Sequence, residues 1–238
     1  MINFGEHKNN IDLNGFTIID NVFTHDEAAN IISVINDTVC SDPVDRRVTG
    51  LFAIRRFFTE IPRAVKLTLN EKLLSITESL FGDRHFVVKS IYFDKPPQSN
   101  WFVPYHQDLT IAVNRKVDLP GFNNWTVKQD QFAVQPPLQI LENNFTIRIH
   151  LDDTDENNGA LKVIPGSHRK GICRSGTTDH ILEKEIVCRV KKGGVMIMRP
   201  LLMHASNKAV NHRQRRVIHI EFSNAMLPGE IQWSEYIG

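Results

Sequence analysis

Hydrophobic and polar positions divide the chain into two unlike regions. The run "NGFTIIDNVF" reads as a short strand, and "THDEAANIISVINDTV" after it carries Ala28, Ile31, Ile32, Ile35 and Val39 at helical spacing. Thr24 and Glu27 stand three apart just ahead of that stripe, the pattern of a capping box. "NEKLLSITESLF" predicts a second helix, capped by Asn70 and stopped by Gly82. Past Gly82 the period shortens. "HFVVKSIYFDK", "VPYHQDLTIAV", "NFTIRIHLDD", "ALKVIPGSH", "EIVCRVKKGGVMIMRP" and "RRVIHIEFSN" are short runs rich in Val, Ile, Phe and Thr, parted by Pro, Gly and Asn/Asp clusters. That rhythm predicts a mainly β (α+β) fold: a jelly roll over residues 83–238, with the helical N-terminal residues 1–82 packed on one face. No repeat or linker divides it, so residues 1–238 read as a single domain.

One stretch breaks the alternation. Residues 114–144, "NRKVDLPGFNNWTVKQDQFAVQPPLQILENN", show little strand pattern, and loops of this length in compact domains are commonly functional. Phe122, Trp125 and "LQIL" argue for order, and the segment is expected to be a lid. The alternative is a surface insertion that pads the edge of the sheet.

Composition narrows the class. At 238 residues the chain is long enough for one large core, and 41% hydrophobic with 23% charged residues is ordinary for a soluble protein. A net charge of +1 excludes a general attraction to nucleic acid or anionic membrane, and the basic run "HRQRR" is too short to change that. No apolar run approaches the ~18 residues a membrane span needs. The start "MINFGEHKNN" has neither a charged leader nor an apolar run. Cys40, Cys173 and Cys188 are odd in number and irregular in spacing, which fits a reduced, cytoplasmic chain without a disulfide framework. In that setting the N-x-T sequons at Asn36, Asn124 and Asn144 read as chance. The oligomeric state stays open.

The chemistry concentrates in "VPYHQDLTIAV". In a strand, residues i and i+2 share a face, so His106 and Asp108 project together while Gln107 turns away. Burying an ionised carboxylate is costly unless it is paired or holds a metal. A hydrogen-bonded His–Asp pair near a strand end would satisfy that; so would two neighbouring ligands of one ion. A third ligand is available in "GGVMIMRPLLMHASNKAV", where His204 follows a strongly apolar strand. Two imidazoles and one carboxylate on one side of an ion form the facial triad of non-haem Fe(II) oxygenases, whereas zinc favours a closed tetrahedron or three ligands and a water. With no haem, Fe–S or dinucleotide motif in the chain, electrons would come from an oxo acid bound to the iron. Its far carboxylate needs a cation. In "RQRRVIHIEF" alternation sets Arg215, Val217, His219 and Glu221 on one face and Arg216, Ile218, Ile220 and Phe222 on the apolar other. Arg215 is therefore the anchor, its planar fork matching a carboxylate, and Arg216 is expected at the surface or edge.

"VPYHQDLTIAV", "IRIHLDDTDENNGALKVIPGSHRKG", "MHAS" and the arginine-bearing strand after it resemble the phytanoyl-CoA dioxygenase family. The likeness runs from about Phe86 to Asn224 and weakens in the N-terminal helices. Arg215 stands eleven residues after His204, which is the family's spacing. The resemblance implies a double-stranded β-helix (a cupin-like jelly roll) and an Fe(II)- and 2-oxoglutarate-dependent oxygenase using O2. It implies His106, Asp108 and His204 as iron ligands, and Arg215 on the C5 carboxylate of 2-oxoglutarate with Ser206 beside it. Gln107 and Ile91 match positions that touch the co-substrate, Gln107 only if the strand distorts. Arg148 stands where better-known members carry a Trp. Pointing inward with Thr146 and His150, it would add a second anchor to 2-oxoglutarate or bind an anionic substrate; a salt bridge to Asp152 or Asp153 is the plainer alternative. "DENNGALKVIPGSH" is read as structural, with Gly159 and Gly166 supplying turns. Retention of Asp108 points to hydroxylation or another oxidation of a small-molecule metabolite, not to halide chemistry. Trp101, Phe102, Trp125 and Gln135 are candidate substrate contacts, each equally at home in packing. The competing readings are a jelly-roll binding or regulatory protein without turnover, and a cupin-like metal isomerase or hydrolase, which would have no use for Arg215.

Overall fold

The computed structural model describes residues 2–41, 52–95, 101–128, 131–173 and 185–238; positions 42–47 of the polar stretch "SDPVDRR" lie outside them. The N-terminal region comprises α1 (Phe4–Asn14), β1 (Phe16–Ile19), α2 (His25–Ser41), β2 (Phe52–Arg55), α3 (Phe57–Glu60), α4 (Arg63–Thr68) and α5 (Glu71–Phe81). The strands β3 (Phe86–Lys95), β4 (Val103–His106), β5 (Ile111–Val113), β6 (Asn123–Lys128) and β7 (Gln131–Gln135) follow, then α6 (Leu138–Glu142). The chain closes with β8 (Asn144–His150), β9 (Leu161–Val163), β10 (Ile186–Val187), β11 (Val195–Met198), β12 (His204–Ser206) and β13 (Arg215–Ser223).

The two predicted helices start where their caps place them. Thr24 N–H donates to Glu27 Oε2 at 2.7 Å while Glu27 N–H donates to Thr24 Oγ1 at 3.1 Å, a reciprocal box. Asn70 Oδ1 accepts from Leu73 N–H at 2.9 Å and opens α5.

The strands form three antiparallel sheets. A six-stranded sheet runs β1-β11-β8-β13-β3-β2, a four-stranded one β10-β9-β12-β4, and a three-stranded one β5-β7-β6. The first two face each other across a cavity as the walls of a jelly roll. Register fixes which side chains meet there. His219 stands between Ile91 and Arg148, Glu221 between Lys89 and Thr146, Val217 between Phe93 and His150, and Arg215 opposite Lys95. Directly opposed residues share a face, so these form the inner wall. The alternate positions Tyr92, Ile147, Ile149, Ile218, Ile220 and Phe222 turn outward and join Ile31, Ile35, Phe57, Leu73 and Ile76 in the main core. There the Phe145 ring stacks on Phe81 of α5 at 3.7 Å and on Phe222 at 5.0 Å between centroids, tying helix to sheet. Burial of each such ring stabilises the contact by roughly 1.5–3 kcal/mol.

Residues 114–144 carry more regular structure than their sequence pattern predicts. Most of the segment is sheet and helix: β7 pairs with β5 on one side and β6 on the other, and α6 follows. Phe122, Val134 and Leu141 pack with Ile231 and Trp233 in a second cluster. The register slips between Asn123 and Thr126, and Asn124 adopts φ 53° there. A bulge of this kind shifts the side-chain phase within a strand, which erases the alternation a sequence reader looks for. Among the described residues no helix is long and apolar enough to cross a membrane.

Candidate metal centre

Antiparallel pairing of β12 with β4 puts His204 opposite His106, their rings 4.2 Å apart. Asp108 lies just past the end of β4, where its N–H donates to Pro200 O at 2.9 Å and so fastens this turn to the run entering β12. One Asp108 oxygen is 3.9 Å from His106 Nε2, and the other is 3.9 Å from His204 Nε2. The ligand atoms of all three residues lie within 4.8 Å of one another.

Hydrogen bonding fixes the ring nitrogens. His106 Nδ1 is 2.9 Å from Pro104 O and His204 Nδ1 is 2.9 Å from Leu202 O. A carbonyl only accepts, so each Nδ1 carries the proton and each Nε2 offers its lone pair towards Asp108. Such backbone contacts orient metal-ligating histidines. Burial, partly offset by Asp108, brings His204 down to about 4, so its ligating nitrogen is unprotonated at neutral pH. Burial alone would raise the Asp108 carboxyl, but His204, His219, Lys89 and His106 outweigh it and hold the group at about 2. Asp108 Oδ2 is nonetheless a buried oxygen with no hydrogen-bond partner among the described residues. A buried acceptor left unmade is costly, and a divalent cation answers it. Two neutral imidazoles, one carboxylate and no thiolate suit ferrous iron.

The three ligands border a cavity of about 200 Å³. Arg215 and Ser206 line it as well. Arg215 Nη1 donates to Gly159 O and lies 3.5 Å from Ser206 Oγ, while the Ser206 hydroxyl donates to Gly159 O at 2.9 Å. Arg215 Nε is buried and without a partner. Gly159 sits at φ +85°, and a Cβ there would come within 2.6 Å of Lys95 Nζ, so this turn has no room for a larger residue. The Lys95 ammonium donates to Trp101 O and Asn207 O at 2.9 and 2.6 Å. Arg215 and Lys95 together make this end of the cavity strongly positive.

Three polar residues of the wall escaped the sequence reading as site residues. Lys89 pairs with Glu221 at 2.6 Å, and both line or back the cavity beside His219. Arg148 Nη1 is 3.1 Å from His219 Nδ1, and His219 Nε2 is 3.1 Å from Glu221 Oε1. Arginine only donates and the carboxylate only accepts, so His219 is neutral with its proton on Nε2. Burial keeps it neutral. A signal for Lys89 exists in the sequence: it shares the strand phase of Ile91.

Ile91 and Arg148 line the cavity as expected, and Trp101 stands half-exposed at its edge. Arg148 forms no ion pair with either neighbouring acid. Asp152 takes a bidentate bond from Arg216, and Asp153 accepts from the Lys192 N–H. Arg216 is accordingly half-buried in that pair and not a free surface residue. Phe102, Trp125 and Gln135 are absent from the lining. Phe102 is 54% exposed, Trp125 packs on the second cluster, and Gln135 accepts from Asn124 Nδ2 at 2.8 Å.

Gln107 follows the end of β4 and is not among the residues lining the cavity, its amide being taken up by backbone groups. Its Nε2 donates to Gly171 O and Leu201 O at 2.9 and 2.7 Å, and its Oε1 accepts from Cys173 N–H at 2.8 Å. The residue staples three backbone segments. Gln107→Ala is expected to lower stability by about 1–3 kcal/mol in urea unfolding, since buried backbone groups lose their partner, with 2-oxoglutarate affinity unchanged by calorimetry. A large affinity loss in a folded variant would restore it to the site.

Comparison with known proteins agrees with this geometry. The family described as "Phytanoyl-CoA dioxygenase (PhyH)" matches residues 11–217. An ectoine dioxygenase of Sphingopyxis alaskensis is 24% identical over 184 residues, 72% of this chain and 52% of the relative. Another from Bordetella bronchiseptica is 25% identical over 176 residues, covering 70% and 50%. The chain thus spans about half the length of these curated relatives. Among solved structures, AviO1 from Streptomyces viridochromogenes superposes with a TM-score of 0.68 at 19% identity, covering 96% of this chain and 98% of that one. EctD from S. alaskensis, solved with 2-oxoglutarate and 5-hydroxyectoine, gives 0.68 at 18% identity, covering 92% and 75%. These likenesses bear on the fold, a jelly roll.

Proposed function

The chain belongs to the phytanoyl-CoA dioxygenase family, and from that premise we propose that it is an Fe(II)- and 2-oxoglutarate-dependent dioxygenase that hydroxylates a small-molecule metabolite. The overall reaction takes a C–H bond, 2-oxoglutarate and O2 to the alcohol, succinate and CO2, in which both oxygen atoms are accounted for. The observation that carries the reading is the convergence of His106, Asp108 and His204 at a cavity that also holds the unpartnered edge of Arg215. Bound by the triad, ferrous iron would supply dioxygen activation at the positions its three protein ligands leave open.

The chain's own tasks follow from its geometry. Pro104 O and Leu202 O hold the two rings with Nε2 forward. Arg215, with Ser206 at its side, receives the distal carboxylate of 2-oxoglutarate, as the planar fork favours. Lys89 and Glu221 neutralise each other along the wall, and neutral His219 donates to Glu221. A cavity of about 200 Å³ beside the triad suits 2-oxoglutarate and the reacting end of a small metabolite, and the family's name does not license an acyl-CoA. A cytoplasmic setting fits the free thiols Cys173 and Cys188.

The direct assay supplies Fe(II), ascorbate, O2 and 2-oxoglutarate and measures succinate. Iron-dependent succinate formation, stimulated by the correct metabolite in a screened panel, is the expected result. Tight binding of iron and 2-oxoglutarate with no succinate under any condition would favour a non-catalytic binding protein.

A further inference from the structure

Arg148 lies on the inner wall, buried, with a hydrogen bond at only one corner of its guanidinium. Nη1 donates to His219 Nδ1 at 3.1 Å. Nε is buried without a partner, and Nη2 bonds to nothing among the described residues. The Nε–Nη2 edge, the side that grips a carboxylate through two parallel bonds, is therefore unused among the described residues, on a side chain that lines the cavity. The nearby acids are committed: Asp152 to Arg216, Asp153 to Lys192 N–H, Glu221 to Lys89 and His219. The charge of Asp108, a proposed metal ligand, and the Phe93 ring 6.0 Å from the guanidinium carbon act on Arg148 without bonding to it, so a buried cation is left that a carboxylate from outside would pair.

Along the backbone Arg148 is offset from the co-substrate anchor, although the two guanidinium charges still act on each other. Arg148 pairs across the sheet with His219, four residues along β13 from Arg215. At the rise of a strand that is roughly 13 Å between the two levels. Arg215 shares its level with Ser206, whereas Arg148 enters beside the triad: Asp108 is the carboxylate whose charge it feels. A charge count points the same way. One carboxylate of 2-oxoglutarate would face the metal and the other Arg215, and Lys89 is neutralised by Glu221. Arg148 then remains in surplus on the cavity wall.

Resting on the dioxygenase reading above, we propose that Arg148 is the anchor for an anionic group, carboxylate in shape, on the primary substrate. The enzyme's substrates would then be small carboxylic acids, held by one end beside the metal with the target C–H bond a short distance away. Neutral analogues would be poor ligands, because the desolvated guanidinium edge would stay unpaired.

The test uses the full chain loaded anaerobically with Mn(II) in place of Fe(II), and with 2-oxoglutarate. Propionate and propionamide are titrated at fixed ionic strength, read as the shift in unfolding temperature. Affinity for 2-oxoglutarate is measured by calorimetry in wild type, Arg148→Gln and Arg148→Lys. Propionate should give a saturable upward shift and propionamide none. Both variants should lose about tenfold or more of propionate affinity, while their 2-oxoglutarate Kd stays within about threefold of wild type. Equal responses to propionate and propionamide, or no saturable response to either, would overturn the proposal. So would a propionate response unchanged in both variants, which would put the carboxylate on the metal. A tenfold or larger rise in 2-oxoglutarate Kd in the variants would assign Arg148 to the co-substrate and also overturn it. Should Arg148→Gln fail to fold, the wild-type pair of probes and the lysine variant still decide. Failure of wild type to bind 2-oxoglutarate at all would instead count against the dioxygenase reading itself.

Discussion

Alanine at His204 is expected to abolish stoichiometric iron binding and to lower 2-oxoglutarate turnover to background. His204 brings one of three converging ligand atoms, and its neutral Nε2 is already aimed at the Asp108 side of the site. Partners that merely orient a ligand are worth about 10–100-fold in metal affinity, so loss of the ligand itself should exceed that range. The fold should survive, because β12 keeps its backbone pairing with β9 and β4. Iron content after desalting, read beside circular dichroism, checks the prediction. A folded His204→Ala protein that keeps one iron per chain would remove His204 from the site.

Replacing Arg215 by glutamine should separate the co-substrate from the metal. The residue is buried, and its Nε has no partner among the described residues. Losing one member of a buried charged pair costs about 2–5 kcal/mol, so the 2-oxoglutarate KM should rise on the order of 10²-fold while iron affinity stays within about threefold. Arg215→Lys should recover only a fraction of the loss, because an ammonium lacks the planar fork. Calorimetry with and without metal reads both quantities. A glutamine variant with unchanged 2-oxoglutarate affinity would mean that the dicarboxylate binds elsewhere.

Much of the site could be read from the chain because strand alternation is a two-state rule. Once Ile218, Ile220 and Phe222 were assigned to the core, Arg215, His219 and Glu221 had to face the other way, and they do. The same phase argument placed Arg148 inward with Thr146 and His150, and all three are buried on that wall. Helix starts at Thr24 and Asn70 were legible because a cap is a local interaction. Relations between distant segments were not. That Glu221 sits opposite Lys89 is a matter of register between β13 and β3, which no single strand encodes. The sequence places His204 only after an apolar strand; it lies on β12, a three-residue strand too short to show a period. Gln107 failed for a related reason: its amide is claimed by Gly171, Leu201 and Cys173, far away in sequence. In residues 114–144 the bulge at Asn123–Thr126 broke the pattern that would have betrayed a strand.

The central claim is that one ferrous ion, gripped on a single side by His106, Asp108 and His204, creates the binding site for 2-oxoglutarate in front of Arg215. Anaerobic calorimetric titration of 2-oxoglutarate into the protein, with and without one equivalent of Fe(II), tests this most directly. The account predicts a single site per chain that tightens by at least about tenfold when iron is present, with no such gain in Asp108→Ala. Equal affinity with and without iron, or an undiminished gain in the Asp108 variant, would contradict it.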